Sequence, residues 1–155
     1  MNYKNRKFYV ENISIGKLTQ SFKTPFYCYS KSRLNQNIKN FNKNFEKTKP
    51  LICFSVKSNS NSKLLKIIKD NGLGADVVSI GELQKVLKVG FKPKKIVFSG
   101  VGKTISELDF AIKKKILLIN VESESELKNI ISLSKNKKST VNVGIRLNPN
   151  VNAQT

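Results

Sequence analysis

From Leu51 onward the chain alternates short, nearly continuous apolar runs with stretches of helical period. The runs are "LICFSVK", "ADVVS", "KIVFSG", "ILLINVES" and "VNVGIRLN", each rich in Val, Ile, Leu or Phe. Strands that are apolar on both faces suit a parallel sheet covered by helices, whereas a sheet with one wet face would alternate. Between the runs, Leu64, Leu65, Ile67 and Ile68 recur at helical spacing, as do Leu83, Val86 and Leu87. An amphipathic helix carrying Leu34, Ile38, Phe41 and Phe45 precedes the series.

The unit length, about 20 to 25 residues, is short for a dinucleotide-binding half and comfortable for a (β/α)8 barrel. No G-x-G-x-x-G occurs. The expected fold is α/β: the N-terminal part of a TIM-type (β/α)8 barrel over residues 29–155, with about five parallel strands and four intervening helices, where about eight strands close a barrel. Residues 1–28 hold β-prone pieces that do not join the rhythm and form a separate segment.

Three of the joints pair a hydroxyl with a Glu three residues on: Ser79 with Glu82, Thr104 with Glu107, and Ser123 with Glu126. Each reads as a capping box, in which the hydroxyl accepts from an orphan amide and the carboxylate reaches back while complementing the helix dipole. Gly72 and Gly90 read as C-terminal caps. Lys113, Lys114 and Lys115 fall in a last helical turn, where cations suit the dipole and the run reads as a solvated helix end.

Composition adds exclusions. A chain of 155 residues with 39% apolar residues is long enough for a real core. The formal net charge of +19 invites a nucleic-acid reading. That charge is nearly all Lys, with Arg6, Arg33 and Arg146 the only arginines, and it is spread along the chain without an RNA- or DNA-binding motif. Nucleic acid is therefore not the expected partner. Cys28 and Cys53 lie in separate apolar stretches and read as reduced, buried thiols. The N-terminus lacks a signal-peptide core, and no apolar run approaches the roughly 20 residues that span a bilayer, so a cytoplasmic protein is expected.

The carboxyl ends of barrel strands are where chemistry sits. There the pattern places Lys57, Ser99, Asn120 to Ser123 and Arg146, with Asp76 near the start of its strand. A lysine at a strand tip either snorkels to water or, held among apolar groups, loses hydration and offers a neutral amine able to condense with an aldehyde such as pyridoxal phosphate. Position alone leaves both readings open.

The segments "FSVKSNSNSKLLKII", "GLGADVVSIGEL", "KIVFSGVGKT", "INVESESEL" and "RLNPNVNAQT" follow one another in an order that resembles the N-terminal part of the diaminopimelate decarboxylases, and the resemblance covers nearly the whole chain from about Phe8. The resemblance implies a barrel that binds pyridoxal 5'-phosphate, preceded by a short segment of a separate β-domain. It implies decarboxylation of the amino acid meso-diaminopimelate to L-lysine and CO2 by a homodimer. By the same resemblance Lys57, in "VKSN", matches the lysine that forms the cofactor Schiff base. Arg146 matches an arginine near the cofactor's phenolic edge, and Asp76 in "GADVVS" an aspartate near the cofactor lysine.

The sequence also departs from that family. It contains no His, and it lacks the family's Gly-rich phosphate-binding segment, its "EPGR"-like stretch and its "CESGD"-like segment. The expectation is thus the first third or so of such an enzyme, inactive alone. A reading from another class is a non-catalytic remnant or assembly piece. Ornithine/arginine-type decarboxylases are less close, because "FSGVGK" stands where their third strand resembles "YANPCK". Small pyridoxal-phosphate homeostasis barrels lack "VESESEL" and "RLNPN".

Overall fold

The computed structural model describes residues 2–151. The last four residues of "RLNPNVNAQT" lie outside the described residues. The chain divides into two compact units, Met1–Pro50 and Leu51–Thr155.

In the first unit, β1 (Asn2–Lys4), β2 (Lys7–Val10) and β3 (Ile13–Ser14) form an antiparallel meander. Asn5 and Arg6 both take positive φ, at 47° and 59°, the backbone a two-residue hairpin needs to match strand twist. Tyr3 faces Phe8 across this hairpin with ring centroids 5.0 Å apart. Helix α1 (Ile15–Ser21) starts at the cap Ser14, and α2 (Lys31–Lys43) at Ser30. Glu11 clasps the start of α2, its Oε1 accepting from Ser30 Oγ and Ser32 N, each at 2.8 Å. The expected amphipathic helix is α2, with one difference: Asn44 caps it, so Phe45 falls in the following turn.

The second unit is the predicted βα series. Strands β4 (Cys53–Ser55), β5 (Gly74–Val77), β6 (Ile96–Phe98), β7 (Leu118–Val121) and β8 (Val143–Ile145) form one parallel sheet in sequence order. The intervening helices are α3 (Ser62–Asp70), α4 (Ile80–Val89), α5 (Ile105–Lys113) and α6 (Glu124–Asn136). Among the described residues the sheet stays open, with β4 and β8 at its edges. No helix among them is long and apolar enough to cross a membrane.

Alternation along each strand separates two faces. Ala75, Val77, Ile96, Phe98, Ile119 and Val121 are buried, as are Leu65, Ile68, Leu83, Val86, Leu108 and Ile130 of the helices. Each large side chain so buried contributes about 1.5–3 kcal/mol, which sets this layer as the core. On β8 the corresponding Val143 and Ile145 are 39% and 71% exposed. The other face differs in kind: register aligns Ser55, Asp76, Val97 and Leu118 in one row and Asn120 with Gly144 in the next.

Gly90 closes α4 at φ 95°, with Phe91 N donating to Val86 O at 3.0 Å and Gly90 N to Leu87 O at 3.0 Å, a Schellman ending. Gly72 takes φ 83° just past α3. Gly74 has no room for a side chain: a Cβ there would collide with the Lys95 carbonyl and lie 2.7 Å from Cys53 Sγ. Of the three expected capping boxes only Thr104–Glu107 is reciprocal. In the other two the Glu carboxylate passes the cap and accepts from the residue before it, Val78 N at 2.8 Å for Glu82 and Glu122 N at 2.9 Å for Glu126. The cause is backbone: Ser79 and Ser123 sit at φ −151° and −153°, Thr104 at −73°, which turns the cap's own amide differently.

Candidate functional site

Lys57 stands in a single 3-10 turn, Val56–Ser58, directly after β4. Val56 is fully buried and anchors the turn, while Lys57 itself is exposed. Ser58 Oγ donates to Ser55 O at 2.8 Å and Asn59 N to Val56 O at 3.1 Å, so the turn is closed by its own short-range bonds. No hydrogen bond or ion pair to the Lys57 ammonium occurs among the described residues. Of the two readings of this lysine, exposure to water is the one the described residues show, and no apolar wall among them encloses it.

Asp76 is the third of four residues in β5, one before the carboxyl end, because the strand starts at Gly74. It does not stand at the strand start as the apolar run suggested. Its Oδ1 accepts from Ser99 Oγ at 2.6 Å, and Ser99 Oγ in turn accepts from Asn120 Nδ2 at 2.9 Å. A polar row therefore crosses the inner face from β5 to β7. Asn120 fits only because its neighbour on β8 is Gly144, where a Cβ would lie 2.5 Å from Asn120 Oδ1. Cys53 lies across from Gly74, and burial, then the Asp76 carboxylate, push its thiol up, with Lys95 opposing. This keeps it a thiol and not a nucleophile.

Arg146 follows β8, its amide donating to Val121 O at 3.0 Å. Its Nη1 reaches both Glu122 oxygens at 3.3 Å while its side chain stays 66% exposed. Val101, Glu122, Arg146, Leu147, Asn148 and Pro149 line a shallow groove at this rim. Glu122 Oε1 also accepts from Gly100 N at 2.9 Å. Gly100 takes φ 103°, backbone that favours glycine.

Beneath the rim lies a feature the sequence reading passed over. Lys103 Nζ is 2.6 Å from Glu126 Oε1, with the two side chains 2% and 8% exposed. The same ammonium donates to Gly100 O at 2.7 Å and Asn120 O at 2.8 Å, so all three of its protons are used. The signal was the Ser123–Glu126 pair, read only as a cap. Its partner was lost among 29 lysines and arginines.

Two further carboxylates are held below their ordinary range. Glu107 is lowered chiefly by the Thr104 amide, burial opposing, and its Oε1 accepts from Ile80 N at the start of α4 at 3.3 Å. Asp109 is lowered by Lys113 and Lys137, both at 2.7 Å, the second joining α5 to α6.

The structure thus brings Asp76 together with Ser99 and Asn120, and Arg146 together with Glu122. No direct bond joins Lys57 to either group. Tested against pyridoxal phosphate, these residues fit its aldehyde and ring end: a free primary amine at a strand tip, a carboxylate two strand positions away on the adjacent strand's inner face, and a rim cation. They do not cradle its phosphate, since the starts of α4, α5 and α6 are filled by Glu82, Glu107 and Glu126.

Comparison with known proteins points the same way. Residues 31–155 match the family model described as pyridoxal-dependent decarboxylase, pyridoxal binding domain. Over 139 residues the chain is 46% identical to a diaminopimelate decarboxylase of Helicobacter pylori, covering 90% of this chain and 34% of that protein. It is 37% identical to the diaminopimelate decarboxylase of Aquifex aeolicus over 155 residues, all of this chain and 36% of that one. The crystal structure of the Helicobacter pylori diaminopimelate decarboxylase complexed with L-lysine superposes with a TM-score of 0.87 at 44% identity, covering 91% of this chain and 36% of that one. The chain thus spans about a third of the length of the relatives it matches. On the family match, the chain belongs to the pyridoxal-dependent decarboxylases and carries part of their pyridoxal-binding domain.

Proposed function

We propose that this chain is the N-terminal third of a decarboxylase that converts meso-diaminopimelate to L-lysine and CO2, the last step of lysine synthesis. The carrying observation is the unpaired amine of Lys57 at the carboxyl end of β4, inside the span that matches the family. When bound, pyridoxal phosphate supplies an electron sink for the pair left behind by departing CO2. Lys57 holds the cofactor through Nζ. Asp76, fixed by its bond from Ser99, places negative charge on the inner face of the neighbouring strand. Arg146, held by Glu122, would supply the cation that the family resemblance assigns to the cofactor's phenolic edge.

The groups that bind phosphate and substrate and that return a proton after CO2 leaves are assigned to the length by which the relatives exceed this chain. The family match starting at Lys31 supports a boundary near residues 28–29, with 1–28 belonging to the β-domain. Cytoplasmic location and assembly as a homodimer belong to the same proposal.

The test is borohydride fixation with pyridoxal phosphate, followed by peptide mass spectrometry. Label concentrated on Lys57 supports the reading, and label spread evenly over surface lysines ends it. The 155-residue chain alone is expected to form no lysine from diaminopimelate. Turnover by it would overturn the assignment of the missing groups. A chain completed with a relative's remaining sequence is expected to release CO2 from diaminopimelate in preference to ornithine or arginine.

A further inference from the structure

The two polar clusters at the rim, Asp76–Ser99–Asn120 and Arg146–Glu122, are joined by one residue that the proposed chemistry does not use. Lys103 Nζ donates to Asn120 O, to Gly100 O and to Glu126 Oε1. Asn120 belongs to the first cluster. The Gly100 amide donates to Glu122 Oε1, and Glu126 Oε2 accepts from Glu122 N, so both remaining bonds lead to the second cluster. Every proton of the ammonium is thus spent on a group that fixes one cluster or the other.

We infer that Lys103 is a positioning residue that sets Arg146 through Glu122 and couples it to the Asp76 row. The inference rests on the proposed cofactor site only in assigning Arg146 a ligand.

Burial explains why the role needs a charge pair. An ammonium 2% exposed and a carboxylate 8% exposed are costly to desolvate and gain little net stability over an apolar pair. What they add is direction: a point ammonium ties three oxygens from three segments, Gly100 after β6, Asn120 in β7 and Glu126 in α6, to one spot. An apolar pair of equal volume would fill the space without setting the Glu122 carboxylate. Phe98, whose ring centroid lies 5.7 Å from the ammonium, closes the site from below.

The test uses the full chain and two variants. Lys103→Met removes the three donors but strands the Glu126 carboxylate. Lys103→Met with Glu126→Gln removes that buried charge and keeps an acceptor for Glu122 N–H. Amide hydrogen exchange is expected to speed up about tenfold or more at Gly100 in the paired variant, with Gly74 in the sheet unchanged. Arg146→Gln is then made in both backgrounds, and the fraction of borohydride-fixed pyridoxal phosphate on Lys57 is read. A loss of about threefold or more in wild type that disappears in the paired variant shows that Lys103 acts through Arg146. Unchanged loop exchange, loop and sheet amides accelerating together in both variants, or equal effects of Arg146→Gln in both backgrounds would each overturn the inference. If wild type shows no preference for Lys57, the cofactor reading falls, and the exchange result alone decides the positioning role.

Discussion

The βα loops of the second unit fall into two kinds. After β5, β6 and β7 each loop is pinned by a carboxylate, Glu82, Glu107 and Glu126 in turn, and two Glu side chains reach back to the unit before: Glu107 to Ile80 N at the start of α4, and Glu122 to Gly100 N. The loop after β4, from Val56 to Asn61, has no acidic residue and meets only a Lys85 Nζ bond to Ser60 Oγ at 3.3 Å. Charge holds three loops, and short-range backbone and Ser/Asn bonds hold the fourth. The loop after β4 thus leaves Lys57 without an ion-pair partner among the described residues.

That contrast can be broken at several points. The largest expected effect is functional: Lys57→Ala should abolish site-specific capture of pyridoxal phosphate while changing the stability read from urea unfolding by no more than about 0.5 kcal/mol, since the side chain is exposed. Gly74→Ala acts the other way, forcing a methyl onto the Lys95 carbonyl. A cost of about 2–3 kcal/mol in urea unfolding is expected, because backbone cannot step aside as a side chain tip does. Thr104→Ala removes the reciprocal cap and should cost about 1–2 kcal/mol, with Ser79→Ala nearer 1, because Glu82 keeps its bond to Val78 N without the hydroxyl.

The smallest effect is on pH dependence. Glu107 and Asp109 are held below their ordinary range, so the stability they add is present above the unfolded-state value and is lost as pH falls through the folded one. The urea midpoint should therefore drop between about pH 5 and about pH 3, and by less in Thr104→Ala. A chain whose midpoint rises on acidification would show that these carboxylates do not pin the loops.

Much of this architecture was legible in the residues. The five apolar runs became five parallel strands, and the Gly72 and Gly90 stops fell where helices end, because period and turn chemistry are local. What escaped depends on distance in sequence. Lys103 and Glu126 are 23 residues apart, and nothing in "GVGK" marks one lysine as buried. Asp76 looked like a strand-start carboxylate because its bond to Ser99 forms only when β5 and β6 lie side by side. Whether Lys57 is exposed or enclosed stayed open from sequence, since enclosure is a property of whatever stands opposite and not of the strand that carries the amine.

The sheet order repeats the chain order, β4 to β8, with each strand laid beside the one made just before it. Such a sheet accretes like courses of brick: every new strand finds its seat already built, and loop closure never spans more than one βα unit. Emerging from a ribosome, this sheet can consolidate from its first course while later residues are still being joined.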